Sequence, residues 1–259
     1  MDLGLTGKKA IICASSRGLG RGCAMALAEE GVDVVLNGRD PAPLAATARE
    51  IRERFGVDVK EVAADVSTHE GQAALLAACP TPDILVNNNG GPPSRDFRKL
   101  DRQAMLDGVT QNMVTPLELI QAVIDGMAER GFGRIVNITS LSIYMPIPGL
   151  DLSSGARAGL TAFLAGVAKT VADRNVTING LLPGKFDTDR IRSTTQFAAD
   201  KAGIPFEEFA ERKRREIPAR RIGTPEEFGK ACAFLCSAHA GYITGRNMIL
   251  DGGLYPSAF

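Results

Sequence analysis

The chain has 259 residues, 44% of them hydrophobic, enough for one large domain that buries roughly three quarters of its unfolded surface without a disulfide or metal staple. Lys+Arg and Asp+Glu both number 30, and this balance removes any electrostatic reason to expect nucleic acid or an anionic membrane as partner. Cys13, Cys23, Cys79, Cys232 and Cys236 follow no metal or redox spacing and His69 and His239 lie far apart, so no metal site is expected; no apolar run nears the roughly 20 residues of a spanning helix and MDLGLTGKK has no signal core, so a soluble, cytoplasmic protein is expected.

Short apolar runs alternate with longer amphipathic ones along the chain, the pattern of repeated βα units around a parallel sheet. The first strand is expected at 10–13. The loop Cys13-Ala14-Ser15-Ser16-Arg17-Gly18-Leu19-Gly20 follows it, then a helix over 20–30. Glycines before a helix N-terminus let the backbone approach a pyrophosphate, whose charge the free N–H groups and helix dipole favour. The same glycines also suit a tight turn needed for packing alone. Ala14 stands where a first glycine would serve that loop, and is expected to keep a backbone angle that suits a β-carbon.

The second strand, over 32–36, runs into Asn37-Gly38-Arg39-Asp40. An acidic residue at this strand end would bind the adenosine ribose of NAD, whereas a basic one accommodates the 2′-phosphate of NADP. Arg39 with Arg17 makes a two-arginine clamp for that phosphate, so NADP is expected ahead of NAD; two solvated arginines is the competing reading. Asp40 suits the N-cap of the helix expected over 43–55. A strand over 57–63 leads to Asp65-Val66, a helix over 69–78 and a strand over 84–87 that ends in Asn87-Asn88-Asn89-Gly90.

A long helix over 105–130 carries Asn112, and the strand over 134–138 leads through GRIVNITS to Ser140. From Ser140 to Arg157 the chain reads SLSIYMPIPGLDLSSGAR, entering a helix over 152–173. The strand over 177–182 continues into Leu182-Pro183-Gly184, with Phe186 and Thr188 just beyond. Residues 188–222 show helical patterns without a strand, and a lid over 189–222 is expected there. Its Arg190, Arg192, Arg212, Arg214, Arg215, Arg220 and Arg221 could greet a carboxylate, a CoA phosphate or an acyl carrier protein. With Glu207, Glu208, Glu211 and Glu216 interleaved, they equally form a solvated, salt-bridged face. A helix over 225–237 and a strand over 247–250, within YITGRNMILDGG, close the pattern.

In this order and at these spacings the motifs resemble the short-chain dehydrogenase/reductase family, along nearly the whole chain. The resemblance implies an α/β fold: one doubly wound Rossmann domain over 1–259, with a mostly parallel seven-stranded sheet and helices on both faces. It implies that Ser15, Ser16, Arg17, Gly18, Leu19, Gly20 and Arg39 hold the cofactor. Asp65 and Val66 would meet the adenine, Asn88 and Gly90 would line the cofactor, and Pro183, Gly184, Phe186 and Thr188 would wrap the nicotinamide end. Asn112 and Ser140 match its active-site asparagine and serine. Each has a plainer reading: Asn112 as an amide in a helix bend, Ser140 as a strand-end cap, Asp65 as a helix cap.

One departure stands out. The family's catalytic tyrosine and lysine fall, counted from Ser140, on Ser153 and Arg157. A serine hydroxyl is a weaker and shorter acid than a phenol, and a guanidinium stays charged, so neither is a direct substitute. Tyr144 is the nearest phenol to Ser140, as a surrogate acid or as an aromatic packed at the cleft wall. Within the family the chain looks like the 3-oxoacyl-[acyl-carrier-protein] reductase-like members without that pair. It implies an NADP(H)-dependent oxidoreductase acting on a small-molecule carbonyl or acyl substrate, or a catalytically impaired nucleotide binder acting as a sensor or oligomer partner. A homotetramer is expected, through the long helices and the last strand.

Overall fold

The computed structural model describes residues 1–91 and 95–257. Seven parallel strands form one sheet: β1 (Lys9–Ile12), β2 (Asp33–Gly38), β3 (Val59–Ala63), β4 (Ile84–Asn87), β5 (Gly133–Ile138), β6 (Val176–Pro183) and β7 (Asn247–Leu250). Their order is β3-β2-β1-β4-β5-β6-β7, so the chain reverses direction across the sheet between β1 and β4. A crevice opens beyond the carboxyl ends of strands at such a reversal, and loops from both halves converge on it.

Strands buried on both faces read as continuous apolar runs, and adjacent residues feed opposite cores. Ile12 packs with α1 (Gly18–Glu29), α2 (Pro41–Phe55) and α9 (Pro225–Cys236) on one face. Its neighbour Ile11 packs with α3 (His69–Ala78), α5 (Thr115–Glu129) and α6 (Asp151–Val167) on the other. Leu27, Leu36, Leu85 and Ile135 are fully buried, each contributing roughly 1.5–3 kcal/mol by leaving water.

α1 and α9 touch backbone to backbone. A Cβ at Gly22 would fall 2.1 Å from the Pro225 carbonyl oxygen, and one at Gly229 would fall 2.1 Å from the Gly22 oxygen. Only glycine fits either place. α9 starts in a full capping box: Thr224 Oγ1 accepts from the Glu227 amide while the Glu227 carboxylate accepts from the Thr224 amide.

The helix expected over 105–130 is instead broken in three. α4 (Arg102–Val109) passes into a π-turn, Thr110–Val114, before α5 begins. Pro116 supplies no N–H to the ladder, the Thr115 amide reaches back to the Thr110 oxygen, and Asn112 Nδ2 takes the Gly108 oxygen at 3.1 Å. The helix expected over 152–173 ends at Val167 and continues as two short 3-10 turns to Asn175. Between Phe186 and Gly223, joined by a single bridge, lie α7 (Asp189–Ala202) and α8 (Phe206–Arg215).

Ala14 does not keep the angle expected of it: its φ is +44°, in the left-handed region. Two amides fix it there, since its N–H donates to Asn37 Oδ1 at 3.2 Å and its oxygen accepts from Asn88 Nδ2 at 3.3 Å. An alanine held at positive φ carries strain that glycine avoids, partly offset by glycine's looser unfolded state. Ala14→Gly is expected to raise stability by up to about 1 kcal/mol, seen as a higher urea midpoint at unchanged slope.

Candidate active site

The loop after β1 is built to receive an anion at close range. A Cβ at Gly20 would fall 2.2 Å from the Ala14 oxygen, so the turn closes only with glycine there. Arg17 takes the N-cap position of α1 without a side-chain cap, which leaves the first amides of the helix pointing into the crevice. Ser15 does not face that crevice. Its buried hydroxyl donates to the Ile12 oxygen at 2.8 Å and accepts from the Asn37 amide at 3.0 Å, pinning the loop to β2. The Ser16 oxygen accepts from Thr47 Oγ1 at 2.9 Å.

At the end of β2, Asp40 caps α2 as expected, accepting from the Ala42 amide. Arg17 lies between two carboxylates, 3.4 Å from Asp40 and 3.9 Å from Asp189, all of them more than half exposed. Pairs so exposed are weak and easily exchanged for a phosphate. Arg39 stands close enough to Asp65 to help lower its pKa, although the main cause is the hydrogen bond from Ser67. Asp65 Oδ1 accepts from both the Ser67 amide and hydroxyl, and Thr68 rather than Asp65 caps α3.

Buried and half-buried asparagines line the carboxyl ends of the central strands. Asn87 Nδ2 donates to Asn137 Oδ1 at 3.0 Å, Asn88 fixes Ala14, and Asn89 Nδ2 donates to the Gln111 oxygen. The Gly90 amide donates to Asn89 Oδ1. Asn37 joins β2 to β3 through the Val62 and Ala64 oxygens, and Asn179 holds the segment before β7. Asn37, Asn137 and Asn179 carry no expectation from the sequence. Their signal was an asparagine directly after a β-branched or aliphatic residue in each of the strand segments VVLN, RIVN and VTIN.

Asn112 projects from the π-turn into a cavity lined by Cys13, Val66, Asn87, Asn88, Asn89, Gln111, Asn137 and Arg157. The centre of a water-sized group can move through about 20 Å³ there, room for about one such group. Burial pushes the Cys13 thiol up to about 12, so it stays protonated. Asn112 Oδ1, Asn87 Oδ1 and Thr115 Oγ1, all of residues that line this cavity, are buried without a protein hydrogen-bond partner among the described residues. Such atoms gathered beside a crevice suit a polar ligand that satisfies them.

Ser140 follows β5 and caps the 3-10 turn Leu141–Ile143, accepting from the Ser142 amide at 3.1 Å. Its own hydroxyl hydrogen remains to be donated. Ser153 and Arg157 lie one turn apart on α6, where Arg157 Nε donates to Ser153 Oγ at 3.1 Å. Arg157 Nη1 donates to the Ile138 oxygen at 2.7 Å, and Nη2 reaches the Asn89 oxygen at 3.5 Å. Burial, and secondarily the charge of Arg190, bring the Arg157 pKa down to about 10; at neutral pH it is still a cation.

Tyr144 is turned to other work. Its hydroxyl accepts from Asn247 Nδ2 at 2.8 Å at the β7 edge, and its ring lies 5.7 Å from that of Tyr255. Phe186, expected beside a nicotinamide, is buried in the core against Phe228 at 5.2 Å. Thr188 caps α7 and lies opposite Gly18 across the crevice, and Pro183 ends β6. The Gly184 amide donates to the Leu250 oxygen at 2.8 Å, tying the segment after β6 to β7. The lid arginines are largely answered by their own acids: Arg192 by Asp187, Arg212 by Glu208, Arg214 and Arg215 by Glu211, Arg221 by Glu227.

Gly18 and Gly20, the open amides of α1, the arginines beyond β2 and the unsatisfied amides over β4 and β5 together suit a dinucleotide laid across the strand ends. A family model described as enoyl-(acyl carrier protein) reductase matches residues 13–255. The chain is 32% identical over 257 residues to the 3-oxoacyl-[acyl-carrier-protein] reductase FabG of Vibrio cholerae, covering 98% of this chain and 99% of that one. It is 31% identical to the acetoacetyl-CoA reductase of Cupriavidus necator, covering 97% and 99%. Among solved structures, L-sorbose reductase from Gluconobacter frateurii, complexed with NADPH and L-sorbose, superimposes with a TM-score of 0.94 at 30% identity over 99% of this chain and 100% of that one.

Proposed function

The chain belongs to the short-chain dehydrogenase/reductase family, and from that membership we propose an NADP(H)-dependent oxidoreductase that interconverts a carbonyl and an alcohol through a proton path built on Ser153 and Arg157. One contact carries the reading: Arg157 Nε donating to Ser153 Oγ on the face of α6 that meets the ends of β4 and β5. Cofactor choice is supported by Arg17 and Arg39 and by NADPH or NADP in related structures, the L-sorbose reductase among them.

A reduced nicotinamide bound across the strand ends would supply the hydride. The protein's part is to place and polarise the carbonyl. Ser140 offers its hydroxyl hydrogen to the carbonyl oxygen. Ser153 already accepts from Arg157, so its hydrogen is free for the same oxygen, and the adjacent cation favours the negative charge that develops there. Arg157 does not release a proton at neutral pH, so its role is electrostatic; the proton that completes the alcohol would come from the Ser153 hydroxyl, which solvent then reprotonates. A positioned general acid contributes about 10²–10⁴ in rate, whereas placing the reactants can contribute roughly 7–11 kcal/mol. Hydride transfer therefore survives without the phenol, at reduced rate.

The same substitution favours a second reading, a nucleotide-binding sensor without turnover. NADPH oxidation across a carbonyl panel, run beside NADPH binding by fluorescence, separates the two. Turnover of any member supports the enzyme; tight binding without turnover overturns it in favour of the sensor.

A homotetramer forms part of the proposal. Met105, Leu106, Val109, Val114 and Phe163 are exposed apolar residues along α4, the π-turn and α6, and apolar surface on neighbouring elements favours a second copy. Light scattering at micromolar concentration is expected to give a tetramer; a monomer refutes it. Among the described residues no helix is long and apolar enough to cross a membrane.

A further inference from the structure

The π-turn leaves one backbone carbonyl without a donor from its own helix. Along the helix the Gln111 oxygen could take an N–H from Thr115, by α-helical pairing, or from residue 116, by π-helical pairing. Thr115 donates to the Thr110 oxygen instead, and Pro116 has no N–H to give. The Gln111 oxygen is served from outside: Asn89 Nδ2, just beyond the end of β4, donates to it at 3.3 Å. A carbonyl withdrawn from solvent is costly to leave unpaired, so this one bond bears on the register of the whole turn.

The rest of Asn89 is engaged too. Its Oδ1 accepts from the Gly90 amide at 2.8 Å, and its backbone oxygen is reached by Arg157 Nη2 at 3.5 Å. Asn89 therefore meets the π-turn with its side chain and α6 with its backbone, and it lines the same small cavity as Gln111, Asn112 and Arg157. Asn112 follows Gln111 directly in the turn and is buried, so a rotation of the Gln111 peptide carries Asn112 with it. The next two residues are Gly90 and Gly91, which bring no side chain to take over the bond.

We infer that Asn89 is a positioning residue: by holding the Gln111 oxygen it fixes the register of the π-turn, and so sets where Asn112 stands relative to Ser153 and Arg157. This rests on the proposed oxidoreductase, for which it names a residue that acts through Asn112. Without the Asn89 amide, the donor that its own helix offers the Gln111 oxygen is the Thr115 N–H. The turn then relaxes toward α-helical pairing of Thr115 with Gln111, and Asn112 rotates away from the cavity.

Crystallography and steady-state kinetics of Asn89→Ala and Asn89→Asp test this. The first removes the donor; the second keeps the shape and sets an oxygen where the donor was. In the crystal structure of Asn89→Ala the Thr115 amide is expected on the Gln111 oxygen, with Asn112 displaced. Each variant is expected to lose about 10-fold in kcat for a carbonyl that the unmodified protein reduces, with NADPH affinity kept within about 2-fold, because a misplaced group costs rate rather than cofactor binding. Adding Asn89→Ala to Asn112→Ala should cost less than about 2-fold more, since the first acts through the second. A π-turn and Asn112 unmoved in Asn89→Ala overturn the inference. So do fully additive losses in the double variant, or a kcat for Asn89→Asp within about 2-fold of the parent. Should Asn89→Ala fail to fold, the same structural criterion applied to Asn89→Asp decides. Absence of turnover in the unmodified protein would instead overturn the oxidoreductase reading, and the variant structures alone then decide whether Asn89 holds the turn.

Discussion

The double variant Ser153→Tyr with Arg157→Lys is expected to reduce neutral ketones with NADPH at least about 10-fold faster than the unmodified protein. Ser153 and Arg157 already occupy one face of α6, with the Ser153 hydroxyl toward the strand ends, so a phenol placed there projects farther into the crevice. An ammonium beside it lowers the phenol pKa and can hold a ribose hydroxyl. The gain falls short of the full range for a general acid, about 10²–10⁴, because Ile138 and Asn89 hold a guanidinium and fit the shorter lysine less well. Arg157→Lys alone is expected to give no gain. Steady-state kcat for a simple ketone decides the matter, and a double variant no faster than the parent while still binding NADPH refutes it. Tyr144→Phe should leave turnover unchanged, since that hydroxyl is engaged by Asn247.

Replacing Arg17 and Arg39 together by alanine is expected to weaken NADP binding by about 10²-fold while leaving NAD binding nearly intact. In the proposed clamp each guanidinium would contribute a charge-assisted bond to the 2′-phosphate. Exposure and salt reduce its strength, which is why the lower end of the range applies. The pairs Arg17 makes with Asp40 and Asp189 are too exposed to compete strongly with a doubly charged phosphate. Fluorescence titration at two salt concentrations should show the preference for NADP shrinking as salt rises. Equal affinity of the unmodified protein for NAD and NADP would refute the clamp.

The sheet was legible because parallel strands covered on both faces cannot hide: VVLN and ILVN have too few polar atoms to lie anywhere else. That Ser153 and Arg157 meet on one face of α6 was legible as well, since spacing on one helix is local. What periodicity misses depends on partners distant in sequence. The π-turn at Asn112 comes from Pro116 and the Gly108 carbonyl acting together, and the helical repeat runs through both without a break. Ala14 reads as a tolerable replacement for glycine until Asn37 and Asn88 fix its dihedrals. The direction of Tyr144 is set by Asn247, on a strand much later in the chain. Phe186 was placed at the cofactor by motif, but T-shaped contact with Phe228 draws it into the core. That Arg157 pairs with no acid among the described residues was invisible for the same reason, because an ion pair has no signature along the chain.

The glycine contact between α1 and α9 bears on how this protein comes into being. The loop and helix proposed for the pyrophosphate precede β2 to β6 in the chain, yet the surface that braces α1 is made by Gly229 and Pro225, which follow all of those strands and are synthesised well after α1. Until α9 arrives, α1 shows the nascent chain's surroundings a flank without side chains to protect it, and Cys23, Ala26 and Leu27 lie open beside it. Capture of a cofactor at the proposed loop would thus wait for α9, and a chain that stalls before α9 carries the loop sequence without the packing that braces it.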